Sequence, residues 1–416
     1  MLLAIFITLV FLHSLVSGRL ERTVVTAPIV FTAAGMLASF VLPEVRSREH
    51  SMEVFLRVAE VGLVLLLFTD ASRTGLRVLR NIHNLPVRLL STGMLLTLLL
   101  GALAALLVFP ALTLWEAGIL AAILAPTDAG LGQIIVNSPR VPLKIRQALN
   151  VKAGLNDGLS VPFLLFFIAL AGGGASGSHD ARLGQFILEQ LGYGTLVGLG
   201  IGWIGGCLLG WAHRSQWMAH AWLQLGVLAL PLLCLLGSEA VGASMFIAAF
   251  VAGLAVQLGF KEVAKHSVQF TEEWGQLFNL SVFFLFGALV ARALNQFHWT
   301  HALYAVLSLT VVRMAPVAIA LIGTRLSRAT ALFMGWFGPR GLASIVLGLV
   351  YLEHQGHHAG ESTIRLTVMA TVLLSVVAHG LSAMPGIELY ARRTKTLPPD
   401  APENEGAGEA HQAVPI

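Results

Sequence analysis

Several ionisable side chains lie in the middle of long apolar stretches. Asp128, Asp157 and Arg340 are each flanked on both sides by apolar or small residues. A charge at such a position is costly in a membrane and therefore marks a functional-site candidate. Thr127 precedes Asp128, and Asn156 precedes Asp157. Carboxylate, amide and hydroxyl oxygens can replace the water around a hard cation, and a carboxylate can also take up a proton. These residues predict a site for a cation and a competing proton.

The composition places this site in a membrane protein. Of the 416 residues, 56% are hydrophobic and 12% are charged, whereas a soluble domain has about 25% charged residues. The mean hydropathy is +0.78. This composition excludes a cytosolic enzyme, a disordered scaffold and a nucleic-acid binder. Cys207 and Cys234 lie in apolar segments, which is typical of packed cysteines rather than of a disulfide or metal site.

The apolar stretches predict an all-α polytopic fold, because a spanning helix needs about 20 mostly apolar residues. Breaks at charged, glycine and proline residues divide the chain into thirteen candidate spans. They are 2–17, 24–42, 54–71, 87–109, 113–137, 143–171, 184–212, 219–237, 239–258, 274–292, 300–323, 329–352 and 363–383. Residues 1–388 form the predicted membrane domain, and the polar, proline-rich residues 389–416 form a tail that we expect to be disordered.

Loop charge predicts the orientation of the chain. With the N-terminus outside, 17 lysines and arginines lie in cytoplasmic loops and the tail, and 5 lie in outer loops. This asymmetry satisfies the positive-inside rule, and it predicts a plasma (inner) membrane protein with a cytoplasmic C-terminus. The first span lacks a basic region before it, which favours a retained helix over the alternative, a cleaved signal peptide.

Two spans contain helix-breaking residues beside a charge. The fifth contains AAILAPTDAGLG around Asp128, and the twelfth contains GWFGPRGLASIV around Arg340. Broken helices expose backbone groups that can serve an ion, and paired interruptions mark the midplane site of many transporters. An inverted repeat of spans one to six with eight to thirteen would match the fifth with the twelfth. The order of the spans permits this repeat.

Three motifs in register, LAPTDA, GLNDG and GWFGPRGLAS, resemble the sodium/proton exchanger (NhaP-like) branch of the monovalent cation:proton antiporters. The stretches LVLLLFTDASRTGLRVLR, SMFIAAFVAGLAV and VVRMAPVA are also similar to that family, and the resemblance covers residues 1–388. It implies thirteen helices, a homodimer, and a core with crossed, interrupted helices 5 and 12 that moves against a dimerisation domain.

The resemblance also assigns roles to individual residues. Asp157 would bind the cation and the proton alternately, with Asn156 beside it, and Asp128 and Thr127 would complete the site. An Asn-Asp pair implies electroneutral antiport of Na⁺, Li⁺ or K⁺ against H⁺. The sequence leaves open which cation is carried, in which direction and at which pH. We expect no cofactor and no metal beyond the transported cation.

One departure from the family pattern changes the charge of the site. Relatives carry Glu-Ser where this chain has Lys152-Ala153. In the family the glutamate pairs with the arginine that corresponds to Arg340, and the serine hydroxyl ligates the ion. Replacing the acid by a base adds about two units of positive charge to the site, and Lys152 cannot pair with Arg340.

Three hypotheses account for Lys152. Its ammonium could pair with Asp128 or Asp157 and leave when the cation arrives, as an internal competitor or proton carrier. It could instead reach the interface or pair with another acid while ordinary exchange continues. Finally, cation binding could be lost, which would make the protein a sensor or a carrier of an organic or anionic solute on the same scaffold. The sequence does not decide among them.

The remaining signals are weaker. Asp70 suits either the site or the membrane interface, and Arg313 suits a structural role more than an ion gate. Two membrane aspartates would also suit an aspartyl protease, but the Tyr-Asp and Gly-x-Gly-Asp motifs of those enzymes do not occur. The outer loop contains Glu353, His354, His357, His358 and Glu361, for which a solvated loop is favoured over zinc binding or pH sensing.

Overall fold

A computed structural model describes residues 2–20, 23–41, 50–73, 85–172, 188–261, 268–354, 360–398 and 401–404, and these residues form helices joined by short turns, with no strand. The main helices, which we number in chain order, are α1 (Leu2–Leu20), α2 (Ala27–Val41), α3 (His50–Arg73), α4 (Leu85–Val108), α5 (Leu114–Ile123), α6 (Ala129–Val136), α7 (Leu143–Gly172), α8 (Leu188–Arg214), α9 (His220–Ala240), α10 (Met245–Gly259), α11 (Val268–Ala293), α12 (Trp299–Leu309), α13 (Val311–Ala320), α14 (Arg328–Trp336), α15 (Leu342–His354) and α16 (Glu361–Thr394).

Helix length and composition fit a membrane-spanning protein. Within the described ranges, eight helical stretches are long and apolar enough to cross a membrane, and four shorter apolar helices accompany them. Each of the thirteen predicted spans coincides with one or two of these helices. The all-α fold class is therefore confirmed.

The helix boundaries differ from the prediction where the chain is interrupted or prolonged. The predicted fifth span consists of two helices, α5 and α6, and the twelfth consists of α14 and α15. The last helix continues to Thr394, past the predicted end of the span at 383 and past the predicted domain boundary at 388. A run of polar residues can extend a helix beyond the hydrocarbon region because its backbone hydrogen bonds are made within the helix.

The helices pack in two groups. The first helix group contains α2, α3, α8, α9, α10 and α11, and the second contains α4 to α7 and α12 to α16. The two groups meet where α3 packs on α7 and α15, where α11 packs on α15, and where α10 packs on α7. All charged residues of the candidate site lie along these helices or directly beside them.

Glycines set the close packing within the first helix group. Every fourth residue of α8 from Gly194 to Gly210 is a buried glycine. A Cβ atom on Gly198 would lie 2.4 Å from the carbonyl oxygen of Ala248 in α10, and one on Gly202 would lie 2.5 Å from that of Ala252. Small residues at every fourth position allow two backbones to approach this closely in a membrane. The repeated glycines thus hold α8 rigidly against α10.

Part of the tail returns to the helix bundle. Glu403 is 2% exposed, and its carboxylate Oε1 accepts hydrogen bonds from the backbone N–H of Ser327 (2.8 Å) and the hydroxyl of Thr330 (2.7 Å), at the start of α14. Burial alone raises the pKa of Glu403, but these hydrogen bonds outweigh it and hold the pKa below its ordinary value of 4.5. The carboxylate is therefore charged at neutral pH. The rest of the predicted disordered tail, residues 399–400 and 405–416, lies outside the described residues.

Candidate functional site

The two interrupted spans cross each other. The segment between α5 and α6 passes the segment between α14 and α15, and the backbone N–H of Asp128 donates to the carbonyl oxygen of Pro339 across them (2.8 Å). Proline and glycine in both segments favour the interruption, since proline lacks an N–H donor and glycine weakens a helix. The crossing brings four helix ends together in the interior of the protein.

The Asp128 carboxylate joins the two broken spans. Its Oδ1 accepts from the backbone N–H of Leu131 in α6 (3.0 Å), and its Oδ2 accepts from that of Leu342 in α15 (2.7 Å). A negative charge at a helix N-terminus satisfies free N–H groups and interacts favourably with the helix dipole. One side chain thus caps two helices, and both of its oxygens are occupied by this role.

We expect Gly341→Ala to destabilise this crossing strongly. A Cβ atom on Gly341 would lie 1.9 Å from Oδ2 of Asp128, so the carboxylate must leave the N–H of Leu342. Overpacking and the loss of a charge-assisted hydrogen bond together cost roughly 3 kcal/mol. Thermal unfolding of the purified protein should show the loss. Gly200→Ala in α8 is the matched control, because no atom lies within 4 Å of its added Cβ. Equal unfolding temperatures for the two variants would contradict the capping role of Asp128.

Arg340 holds the unwound segment of the fifth span. Its Nη1 donates to the carbonyl oxygens of Ala125 (2.6 Å) and Pro126 (2.8 Å), and its backbone N–H donates to Ser375 Oγ (2.6 Å). The side chain is fully buried, and its Nε and Nη2 atoms have no hydrogen-bond partner among the described residues. Arg340 therefore binds backbone carbonyls on one side, whereas the acidic partner that the family resemblance implies is replaced by Lys152.

Thr127, Lys152 and Asn156 form one hydrogen-bonded group. Lys152 Nζ donates to Thr127 Oγ1 (3.0 Å), and Asn156 Nδ2 donates to the same oxygen (2.7 Å). Lys152 and Asn156 are four residues apart on α7 and share one face of the helix. Lys152 is 4% exposed and points into the protein rather than to the membrane interface. The lysine ammonium therefore occupies a hydroxyl oxygen that was predicted to serve the cation.

Asp157 carries a carboxylate that is open for a ligand. Its Oδ1 atom is buried and has no hydrogen-bond partner within the described ranges, and the same is true of the neighbouring Asn156 Oδ1. Asp157 lies within electrostatic reach of Asp128, Asp70 and Lys152. An unsatisfied buried oxygen is costly, and a cation or a proton would satisfy it. Each of these two oxygens is a ligand type that suits a hard cation.

The structure places Asp70 beside the site. It belongs to α3, in the first helix group, and a Cβ atom on Gly154 of α7 would lie 3.1 Å from the Asp70 Cβ. Gly154 therefore allows α3 to approach α7 between Lys152 and Asn156. Asp70 interacts electrostatically with Asp128 and brings a charge from the other helix group to the site.

Six ionisable side chains at the crossing interact electrostatically, and we refer to them as the charge cluster. They are Asp70, Asp128, Asp157, Lys152, Arg313 and Arg340. With every member ionised, three negative and three positive charges cancel. Arg313 joins the cluster because its guanidinium lies against Gly338 in the interrupted twelfth span, where a Cβ would lie 2.3 Å from its Nε.

Asn279 was not identified from the sequence. It is 7% exposed on α11, and a Cβ atom on Gly130 would lie 3.1 Å both from its Nδ2 and from Oδ1 of Asp128. The available signal was a single amide inside an apolar helix, which is unusual in a membrane span. Asn279 contributes a further amide next to the capping carboxylate.

A small pocket leads to the hydrogen-bonded group. Thr127, Asp128, Lys152 and Ala153 line it together with residues that precede the crossing in the twelfth span, such as Phe337. Its volume is about 20 Å³, enough for one water molecule or one dehydrated ion. Ala153 lines this pocket where the family pattern has a serine hydroxyl.

Most of the outer loop that contains the predicted histidine cluster lies outside the described residues. Residues 355–359 and the side chains of Glu353 and His354 lie outside the described residues. Among the residues that the structure describes, no group of three or more His, Cys, Asp and Glu side chains could hold a metal ion.

Comparison with solved structures shows a shared fold. A structure of the sodium proton antiporter MjNhaP1 from Methanocaldococcus jannaschii at pH 8 matches with a TM-score of 0.73 and 22% identity, over 91% of this chain and 98% of that chain. A second structure of MjNhaP1, from electron microscopy, matches with a TM-score of 0.75 and 21% identity, over 95% and 98% of the two chains.

Sequence comparison finds curated antiporters. An Na⁺/H⁺ antiporter of Schizosaccharomyces pombe is 26% identical over 311 residues, which cover 66% of this chain and 64% of that protein. A sodium, potassium, lithium and rubidium/H⁺ antiporter of Bacillus subtilis is 27% identical over 231 residues, which cover 55% of this chain and 33% of that protein. The chain thus spans less than two thirds of the length of these relatives.

The family model described as "Sodium/hydrogen exchanger, transmembrane" matches residues 4–387. This match covers the crossing, the charge cluster and nearly all of the helices. The chain is an integral membrane protein that belongs to the sodium/hydrogen exchanger family.

Proposed function

We propose that this protein exchanges a monovalent cation for a proton across the membrane. The observation that carries the proposal is that two buried oxygens, on Asn156 and Asp157, have no hydrogen-bond partner among the described residues. Both residues lie beside the crossing of two interrupted helices. A cation bound there would satisfy these oxygens. The similar antiporters and their substrates support sodium, lithium or potassium as the cation.

Charge balance supports electroneutral, one-for-one exchange. The charge cluster is formally neutral when all six members are ionised, and a net charge is costly in a low-dielectric interior. Arrival of one cation leaves the charge of the cluster unchanged if one proton leaves, either from the Lys152 ammonium or from a protonated Asp157. Departure of the cation reverses the step. Each cation that crosses the membrane is therefore matched by one proton that crosses in the opposite direction.

Lys152 acts in this scheme as an internal competitor of the cation. Its ammonium donates to Thr127 Oγ1 from within the small pocket, so it holds a positive charge close to the place that a bound cation would take. The hypothesis that Lys152 reaches the interface fits poorly with its burial and this contact. When the cation binds, the ammonium either moves away from Thr127 or releases its proton to water.

The proposal extends to alternating access and assembly. Motion of the second helix group against the first would expose Asp157 to each side in turn, since the two groups meet along α3, α7 and α15. The positive-inside pattern supports a plasma (inner) membrane location with the N-terminus outside and the C-terminus in the cytoplasm. We also propose that the protein is a homodimer, as the family resemblance implies.

Proton flux in proteoliposomes tests the proposal. Gradients of Na⁺, Li⁺, K⁺ and choline are imposed in turn while an enclosed dye reports internal pH. We expect at least one alkali cation to drive proton movement, choline to drive none, and an imposed membrane potential to leave the rate unchanged. A rate that follows the potential would contradict one-for-one exchange.

A second candidate function is favoured by the positive charges that Lys152 adds beside Arg340. The same fold would then carry an organic or anionic solute or act as a sensor. Chloride-dependent flux that is insensitive to every alkali cation in the same vesicles would support this candidate and overturn the proposed exchange.

A further inference from the structure

A second, larger cavity lies on the other side of the crossing. It has a volume of about 240 Å³ and is lined along α15 from Ile345 to Leu352, after the crossing. The small pocket beside Lys152 instead includes Phe337 and Pro339, which lie in the interrupted segment of the same span. An apolar cavity of about 150 Å³ is large enough to bind benzene, so this cavity has room for several carbons of an alkyl chain.

The lining of this cavity is apolar with a polar end. Phe55, Phe286, Leu349 and Met369 are among the apolar side chains. The Tyr351 side chain also lines the cavity, is 1% exposed, and has a hydroxyl group without a hydrogen-bond partner among the described residues. A buried hydroxyl normally finds a partner. Because the Tyr351 hydroxyl lacks such a partner among the described residues, it could hydrogen-bond to an oxygen atom of a ligand.

Two arginines determine the charge of that ligand. Arg292 lies in the last turn of α11, Arg365 lies one turn after the start of α16, and both line the cavity. Glu361, four residues before Arg365, is the acidic side chain of the first turn of α16. Glu116 and Glu361 lie within electrostatic reach of the Tyr351 hydroxyl, but neither lines the cavity. The two guanidinium groups do line it, and they can bind a carboxylate or phosphate with paired hydrogen bonds. The charge of the lining therefore favours an anionic ligand.

We propose that this cavity binds a single-chain anionic amphiphile, with its alkyl chain among the apolar side chains and its headgroup at Arg365 and Arg292. The positive-inside pattern puts both arginines on the outer side of the membrane. The ligand then comes either from the outer leaflet, as an anionic lipid, or from solution, as a free fatty-acid carboxylate. Both sources offer the same chemistry.

The position of the cavity between the two helix groups makes a bound ligand an inhibitor of cation/proton exchange. This inference of inhibition rests on the proposed function. The lining comes from α3 and α11 of the first helix group and from α15 and α16 of the second. Because α15 begins at the crossing, where the Leu342 N–H binds Asp128, a ligand wedged between α11 and α15 opposes the relative motion of the two groups. Occupancy of the cavity therefore slows alternating access.

Binding is tested without transport, by thermal unfolding and calorimetric titration of the purified full-length protein with decanoate. Uncharged decanol is the matched ligand. We expect decanoate to bind and to raise the unfolding temperature, and decanol to bind at least about tenfold more weakly. Arg365→Gln should weaken decanoate binding by about tenfold. Arg328→Gln, an exposed arginine in the first turn of α14, should leave it unchanged.

A cavity-filling variant distinguishes decanoate binding in the cavity from decanoate binding on the outer surface of the helices. Ala293 is 7% exposed and lines the cavity, so Ala293→Leu should block decanoate binding while the variant still unfolds cooperatively. Equal affinity of decanoate and decanol, or undiminished binding in both Arg365→Gln and Ala293→Leu, would overturn the proposal.

Two further measurements identify the source of the ligand and the consequence of its binding for exchange. Competition between decanoate and lysophosphatidylglycerol, an anionic lipid with one chain, would assign the site to a lipid, and its absence would assign it to a free carboxylate. Decanoate should inhibit cation-driven proton flux in wild type more than in Arg365→Gln. If decanoate binds as expected but wild type shows no cation-driven flux, the proposed function fails and the binding site stands.

Discussion

Asp157→Asn should reduce cation-driven proton flux by at least about 100-fold, the contribution expected of a side chain that carries the transferred proton. An asparagine keeps the size of the side chain and one oxygen ligand, but it can neither lose a proton nor balance the charge of a bound cation. The buried Oδ1 of Asp157 has no hydrogen-bond partner among the described residues, so the substitution breaks no described hydrogen bond of that atom. The measurement is initial flux in proteoliposomes.

The matched control for this variant is Glu239→Gln, which also converts a carboxylate into an amide. Glu239 lies near the end of α9, where it pairs with Arg57 at 2.6 Å and is 39% exposed. An exposed ion pair contributes roughly 1 kcal/mol or less, so this variant should transport like wild type. If flux in Asp157→Asn equals that in the control, the mechanism that places cation and proton at Asp157 is contradicted.

Lys152→Met should raise the affinity for the transported cation. Methionine keeps much of the length of lysine but removes the ammonium that donates to Thr127 Oγ1. Two unit charges 5 Å apart repel by about 3 kcal/mol at an effective dielectric constant of 20. We therefore expect the cation to bind at least about tenfold more tightly. Calorimetric titration of the purified protein with the cation that drives flux measures this change.

Lys144→Met is the control for this variant, because it makes the same substitution in the first turn of α7, away from Thr127. It should bind the cation like wild type. A double variant, Lys152→Glu with Ala153→Ser, goes further by giving Arg340 an acidic neighbour and the pocket a hydroxyl ligand. Unchanged affinity in Lys152→Met would show that the lysine does not compete with the cation, and ordinary exchange in its presence would then be the better hypothesis.

The elements of the site could be predicted from the sequence because each depends on local chemistry. A run of about 20 apolar residues spans a bilayer as a helix in any context. Proline and glycine in PTDA and GPRG break the helix wherever the rest of the fold lies. Asn156 and Asp157 therefore stand out as polar residues in an apolar helix. The substitution at Lys152 is likewise visible from its charge alone.

The contacts between helices depended on the tertiary structure. The two oxygens of Asp128 cap α6 and α15, and the sequence did not indicate these contacts. Asn279 comes to Gly130 from a helix that begins more than a hundred residues later. Helical periodicity predicts which residues share a face of one helix. It does not predict which other helix packs against that face.

The sequence by itself thus determined the class of protein, its helices, the two interruptions and the unusual charge at Lys152. Only the tertiary structure decided that Lys152 binds Thr127, whereas Oδ1 of Asp157 has no partner in the described part of the chain. The physical reason is that the partner of a buried polar group is set by distances of about 3 Å across packed helices. Those distances follow from the packing of all the helices together, including the glycine contacts that fix how closely they approach.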